Sequence, residues 1–281
     1  MHSPNEDPNF IENSQTRHRT NLINTWQIPP GSKVLEIGCG QGDTTAVLAM
    51  AVGPQGHVDA LDPAPLSYGS PCTLGEAQAN LSNSDIGDRI TWHQVSPVDF
   101  LKDVRDDEEG KEAYDIAVLA HCIWYFPSQN VLKGILAALR GKAKRICIAE
   151  YALSASHPAA MPHVLTALAR ATLEAHKTKS QANIQTVLSP TGISRIAEEA
   201  GWKLVSETMI TPDEDLDDGR WETGNVTNEK FLRKIDKAAA EERVRVLIQA
   251  MRDAVIAAVK GLGDERVRTM DVWIAEFQDC T

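Results

Sequence analysis

The chain has 281 residues, 42% hydrophobic and 24% charged, which suits a globular protein of one elaborated domain or two. Its 28 Lys and Arg stand against 39 Asp and Glu, a net charge of −11. That balance argues against a nucleic-acid partner, which needs clustered positive charge, and against docking on an anionic membrane. No apolar run reaches the ~20 residues of a membrane span. The polar, acidic start Met1–Asp7 lacks the apolar core of a secretory signal. The five cysteines (Cys39, Cys72, Cys122, Cys147, Cys280) are odd in number and show no C-x-x-C pairing. They are expected as reduced thiols in the cytoplasm, and no Cys/His cluster has zinc spacing, so no metal is expected.

In chain order, residues 1–12 are expected to be loosely attached. Residues 13–27 form a helix with Leu22, Ile23 and Trp26 on one face. Arg17, His18 and Arg19 lie at its start, as a solvated basic patch or as a lid bringing one of them to an active site. Pro29-Pro30-Gly31 ends this segment. The apolar run 33–37 is a strand, and Thr44–Met50 reads as helix. Between them lies Gly38-Cys39-Gly40-Gln41-Gly42, a glycine-rich turn whose backbone can approach a ligand closely. The helix behind it presents free N–H groups. The dinucleotide fingerprint is G-x-G-x-x-G, but the third position here is Asp43, which disfavours a nicotinamide-dependent oxidoreductase. Glu36, two residues before the first Gly, would repel a pyrophosphate and suit a cationic ligand.

The run Glu36–Gly42 closely resembles motif I of the class I S-adenosylmethionine (SAM) dependent methyltransferases, since acid, glycine spacing, strand and helix all agree. After the turn 53–56 comes a strand over 57–62. Its last residue, Asp62, lies 20 residues beyond Gly42 and is placed to accept ribose hydroxyls; a turn cap is the plain alternative. The loop 65–71, with Tyr68, leads to a helix from Thr73 to about Asn83, Leu74, Ala77 and Leu81 inward. A third strand covers 90–95. The family commonly ends this strand in Gly-Asp; here Ser96-Pro97 stands there, a weaker acceptor for an adenine amino group. The charged run 103–112 reads as a solvated loop.

The fourth strand, 115–120, runs into His121-Cys122-Ile123-Trp124-Tyr125-Phe126, similar to the family's strand, His or Asn, and aromatic turn. Ser128 opens a helix with Val131, Leu132, Ile135, Leu136 and Leu139 at core spacing, and Gly141 stops it. The fifth strand is 145–150. A helix over 160–177 turns Met161, Val164, Leu165, Leu168 and Leu173 inward. Ser189-Pro190 opens another helix that Gly201 closes, and 202–210 is the sixth strand. Residues 211–225 read as an acidic loop, 228–237 and 239–260 as helices, and 267–277 as a final strand.

The expected fold is α/β: a doubly wound, seven-stranded, mostly parallel sheet, its last strand antiparallel by the resemblance. Residues 1–30 would be an N-terminal helix or lid, 31–210 plus 266–281 the SAM-binding domain, and 211–265 a helical insertion, as a cap over the substrate or as extra packing.

By the same resemblance the cofactor is SAM, held by the loop Gly38, Cys39, Gly40, Gln41 and Gly42. Glu36 would hold the α-ammonium and Asp62 the ribose; Pro63 and Ser96 would border the adenine, and the Ala120 backbone would face the methionyl group. Methyl transfer mainly needs alignment, with a base where the acceptor carries a proton. His121 is the first candidate base and His18 the second. Trp124 and Tyr125 either line the acceptor pocket or pack the turn. The reading is methyl transfer to oxygen or nitrogen of a small molecule, possible in secondary metabolism. The alternatives are a SAM-binding enzyme of rearrangement or cyclisation, and a regulatory protein that binds without turnover. The sequence does not give the oligomeric state.

Overall fold

The structure is a computed structural model that describes residues 13–70, 72–104, 113–177, 180, 182–238 and 241–280. Residues 1–12 and most of the charged run 103–112 lie outside them.

The seven strands are β1 (Lys33–Ile37), β2 (His57–Leu61), β3 (Ile90–His93), β4 (Tyr114–Ala120), β5 (Ala143–Tyr151), β6 (Trp202–Ile210) and β7 (Val272–Asp279). They form one sheet in the order β3-β2-β1-β4-β5-β7-β6. β1 to β5 pair in parallel, and β7 runs antiparallel to both β5 and β6. The strand direction of build-up reverses between β1 and β4. Open α/β sheets bind ligands at that switch point, beyond the carboxyl ends of the strands. The glycine loop follows β1, Asp62 follows β2 and His121 follows β4, so the topology alone brings these three together.

Both faces of the sheet are covered, which explains why β1, β4 and β5 are nearly continuous apolar runs. On one face α1 (Ser14–Trp26) and α2 (Asp43–Val52) bury Leu22, Ile23, Trp26, Val47 and Leu48 against Val34, Val58 and Val118. The preceding helical pattern of α1 is thus a true packing face. After α3 (Leu74–Ser82) and α4 (Pro97–Asp103), helix α5 (Gln129–Ala138) covers the other face. It does so with Leu132, Ile135 and Leu136, and α7 (Pro190–Glu199) adds Ile193 and Ile196.

A further helical group sits beside the sheet: α6 (Met161–Glu174), α8 (Asp218–Thr227), α9 (Glu229–Ala238) and α10 (Glu242–Gly261). Ala169, Leu173, Val226, Phe231, Ile235, Ile248 and Val255 form its core.

Several expectations are corrected. Residues 97–103 are helical: Ser96 caps α4, with Pro97 at its first position and Asp99 in its first turn. β3 ends at His93 rather than at residue 95. In α3 the buried polar residue is Gln78, while Leu81 is only half-buried. In α6, Met161 and Leu168 are exposed, and His163, Val164 and Ala167 take the inner face. The acidic stretch is loop only to Asp217, because α8 begins at Asp218. β7 starts at Val272, not at 267, because the preceding backbone serves the helical group. Met270 N–H donates to His163 Nδ1 at 3.1 Å, and Thr269 Oγ1 donates to the Leu216 carbonyl at 2.7 Å.

Candidate active site

The backbone turns over the end of β2 as it leaves β1. Gly38 and Cys39 N–H both donate to the Leu61 carbonyl, at 2.8 and 3.1 Å. Gly42 closes the loop with its N–H on the Cys39 carbonyl at 2.9 Å and heads α2 at φ +94°. A Cβ there would lie 2.6 Å from Leu81 Cδ1 and 2.8 Å from the Trp92 ring, so packing and backbone both require Gly. Gly40 is different. At φ +54° it has nothing within 4 Å of where a Cβ would stand. That open space over the loop backbone is the cradle the expected cofactor requires.

Around it, Asp62 Oδ2 accepts from Gly40 N–H at 3.0 Å and Oδ1 from Ala64 N–H at 2.8 Å. Each carboxylate oxygen retains acceptor capacity for a ligand hydroxyl. Asp62 therefore does the turn-capping job that was its plain alternative. Gln41 Nε2 donates to the Cys72 carbonyl at 2.5 Å, and Gln78 Nε2 donates to the Gly40 carbonyl at 2.9 Å. Gln78 escaped the sequence analysis, although a polar residue among the inward positions of that helix was a visible signal.

Glu36 is 2% exposed. Its Oε2 accepts from Thr45 Oγ1 at 2.5 Å, and burial pushes its carboxyl up to about 7. Such an acid sits ready for a cationic partner, which the loop itself does not supply. Cys39 is buried and Pro63 exposed beside this loop. Ser96 Oγ is occupied as the cap of α4: it accepts from Asp99 N–H and donates to Asp99 Oδ2 at 2.8 Å.

β4 ends at half-buried Ala120, and His121 follows in the left-handed region at φ +52°. A bulky residue there is strained, and such strain gathers at sites where the fold must aim a side chain. The backbone is held by His121 N–H on the Ala149 carbonyl at 2.8 Å. The imidazole Nε2 stands 2.9 Å from Nε2 of His18 on α1. Its Nδ1 is 3.7 Å from Glu150 Oε1 and has no hydrogen-bond partner. Burial lowers both imidazoles well below the ordinary range, so both are neutral near pH 7 and one Nε2–H donates to the other.

Glu150, at the end of β5, was not singled out from the sequence. Its Oε2 accepts from Ile123 and Trp124 N–H at 3.0 and 3.4 Å and its Oε1 from Tyr151 N–H at 3.0 Å. Burial raises it to about 7 as well. The signal was an acid closing an apolar strand at the same sheet edge as Glu36.

The Tyr151 ring lies 4.5 Å from that of His121 and 5.2 Å from that of His163. Its hydroxyl donates to Asp218 Oδ2 at 3.0 Å, and Gln15 Nε2 donates to Asp218 Oδ1 at 2.7 Å. Asp218 thereby links α8 and α1 to the floor of the site. Trp124 is 3% exposed, packs with Val164, Ile184 and Met270, and donates Nε1–H to the Leu188 carbonyl at 3.0 Å. It packs the turn. Tyr125 is 46% exposed. Of the candidate residues His18, His121 and Tyr125, the structure brings the first two into contact and leaves Tyr125 the most exposed.

Comparison with known proteins agrees with this geometry. Residues 10–207 match Methyltransf_23, a methyltransferase domain family. Two curated relatives from Diaporthe leptostromiformis, the methyltransferases phomM and phomM′, are each 26% identical over 287 aligned positions, covering 89% of this chain and 74% of theirs. A cyclopropane-fatty-acyl-phospholipid synthase-like protein from Lactobacillus casei superposes with a TM-score of 0.81 at 30% identity, over 94% of this chain and 90% of its own. Coclaurine N-methyltransferase, solved with N-methylheliamine and S-adenosylhomocysteine, shares the fold at a TM-score of 0.52 and 12% identity, over 98% of this chain and 75% of its own. With the switch-point cleft, the open cradle at Gly40 and the acids at Glu36 and Asp62, these matches identify the chain as a member of the class I SAM-dependent methyltransferases.

Proposed function

We propose that this methyltransferase acts on oxygen or nitrogen of a small molecule in the cytoplasm, and that the His18–His121 pair takes the acceptor's proton. The observation that carries this reading is the 2.9 Å contact between two neutral, buried imidazoles, one on α1 and one at the end of β4. A neutral imidazole holds a lone pair at pH 7 and can accept a proton, whereas an imidazolium cannot.

SAM supplies a methyl group already activated on a sulfonium. The chain's own work is to align and to remove a proton. The loop 38–42 and Asp62 hold the nucleoside end, and Glu36 carries the carboxylate for the α-ammonium. As the acceptor O–H or N–H gains carbon, its proton passes to the imidazole pair, which burial otherwise keeps uncharged. Glu150, 3.7 Å from His121 Nδ1, steadies the cation that forms.

The small-molecule reading rests on enclosure. The buried rings of His18 on α1, His163 on α6 and His121 after β4 pack in a chain through Tyr151, which leaves a macromolecule little access. In this reading residues 1–30, of which 1–12 lie outside the described residues, serve as a lid, and 211–265, described except for 239–240, as a cap over the domain 31–210 plus 266–281. The cytoplasmic assignment follows from five free cysteines. No helix among the described residues is long and apolar enough to cross a membrane.

The test is a panel of phenols, amines and carboxylic acids incubated with SAM and read by mass. A product heavier by one methylene, with S-adenosylhomocysteine formed, supports the proposal. A product of unchanged mass, or methylation at carbon or sulfur alone, overturns it.

A further inference from the structure

Arg19 sits one residue after His18 on α1. Its neighbour Arg17 faces outward and pairs with Asp213, at 3.0 Å, and with Asp215. Arg19 turns inward and has no such ion pair among the described residues. Its Nε and Nη1 are sealed from solvent, and neither donates to any acceptor among the described residues.

Two carboxylates lie in its vicinity without capturing it. Glu36 spends Oε2 on Thr45, and Glu150 receives three backbone N–H groups. Both nonetheless feel the guanidinium, whose charge opposes the burial that raises them. The same charge adds to the burial that pushes His18 and His121 down. Arg19 is therefore a permanent cation set among the two acids and the imidazole pair, at the carboxyl ends of β1, β4 and β5.

A guanidinium cannot shed its proton to escape burial, and buried donors in native folds have partners. The partner here has to arrive with a ligand. A permanent positive charge with free N–H donors suits a carboxylate oxygen better than any neutral group. The glycine loop 38–42 carries no cation of its own for such a group.

We infer that Arg19 is a carboxylate-binding residue of the active site, its two sealed donors awaiting an anionic ligand oxygen at the β1–β4–β5 edge. The inference rests on this cleft being the cofactor site. Two sources present the chemistry. One is the α-carboxylate of the methionyl end of the cofactor, which would set Arg19 and Glu36 as paired receptors for an α-amino acid group. The other is a carboxylate carried by the methyl acceptor itself.

The experiment is calorimetry of the full chain with S-adenosylhomocysteine and with 5′-methylthioadenosine, which lacks the amino-acid end, in wild type, Arg19→Met, Arg19→Lys and Asp62→Ala. Benzoate binding to the S-adenosylhomocysteine complex is followed by NMR. A tenfold or greater loss for S-adenosylhomocysteine in Arg19→Met, with 5′-methylthioadenosine unchanged, supports the cofactor source. Unchanged affinity for both nucleosides, with benzoate bound by wild type and lost in Arg19→Met, supports the acceptor source. Equal weakening of both nucleosides, or no change in any of the three, overturns the inference. Where Arg19→Met does not fold, Arg19→Lys decides by the same criteria with a smaller loss, since it keeps the charge and loses the spread of guanidinium donors. Unchanged binding in Asp62→Ala as well would mean that the cofactor site lies elsewhere, a failure distinct from that of Arg19.

Discussion

His18 Nε2 and His121 Nε2 meet at 2.9 Å across the gap between α1 and the end of β4, and the two residues are 103 positions apart in the chain. The contact makes the amino-terminal helix part of the site rather than an appendage. α1 is held there at three points: by Leu22, Ile23 and Trp26 in the sheet-face core, by Gln15 on Asp218, and by Arg17 on the acidic loop.

If the pair takes the acceptor's proton, His121→Ala slows single turnover by ~10²-fold or more. His18→Ala has an effect of the same kind. The double variant is little worse than the poorer single one, because residues that act as a unit are not additive. Rapid-quench rates across pH check this, and near-wild-type single turnover in His121→Ala removes the pair from the mechanism.

Two of the three loop glycines, Gly42 and Gly40, predict opposite failures. Gly42→Ala drives a methyl group against Leu81 and Trp92 at a positive φ, so the protein loses stability by about 1–3 kcal/mol through overpacking. Gly40→Ala meets empty space in the ligand-free fold and costs only the left-handed backbone, about 1–2 kcal/mol. Its methyl group enters the cradle, so S-adenosylhomocysteine binding falls sharply while the fold stands. Thermal melts paired with calorimetry read both, and full affinity in folded Gly40→Ala would mean the cofactor lies elsewhere.

Asp62 holds two loop N–H groups and, in the proposed function, the ribose as well; the two tasks separate by substitution. Asp62→Ala removes acceptors for Gly40 and Ala64 N–H together with those for a ribose. It is expected to weaken S-adenosylhomocysteine by about 1–3 kcal/mol, the range for hydrogen bonds to a charged group. Asp62→Asn keeps one of the two acceptor oxygens for the loop and falls between. Both variants weaken 5′-methylthioadenosine equally, because the ribose is common to the two ligands. Unchanged calorimetric affinity in a folded Asp62→Ala would sink the ribose assignment.

The sheet was legible because its strands are apolar runs punctuated by Gly and Pro, and the switch-point residues Gly38–Gly42, Asp62 and His121 lie at strand ends where periodicity stops. α4 was missed although Ser96-Pro97 has the same capping chemistry as Ser189-Pro190, because a charged run follows it. What local pattern cannot carry is pairing over distance. Arg17, His18 and Arg19 read as a basic patch or as a lid carrying one of them inward, and only helical geometry sorts them, turning Arg17 to the acidic loop and Arg19 inward. Glu150 and Gln78 belong to the site only because the crossovers bring their elements to the same edge.

Glu36 gives a pH test whose sign is fixed by its burial. Its carboxyl is pushed up from 4.5 to about 7 in the ligand-free fold. Between those values the unfolded chain has already released the proton while the folded chain retains it, so stability falls as pH rises through that window. Glu36→Gln removes the loss, and at pH 8 the variant without ligand is expected to be the more stable by up to about 3 kcal/mol. Glu150, raised for the same reason, is common to both proteins and cancels in the difference. Binding runs the other way. A ligand ammonium needs the carboxylate, so wild-type affinity for S-adenosylhomocysteine climbs up to about tenfold per pH unit below 7 and levels above it. Glu36→Gln binds weakly and with a flatter slope. Melts at pH 5 and 8, with calorimetry at pH 6, 7 and 8, supply both halves. An identical stability difference at the two pH values would show that Glu36 is ionised throughout, and an unchanged binding slope in the variant would place the ammonium on another group.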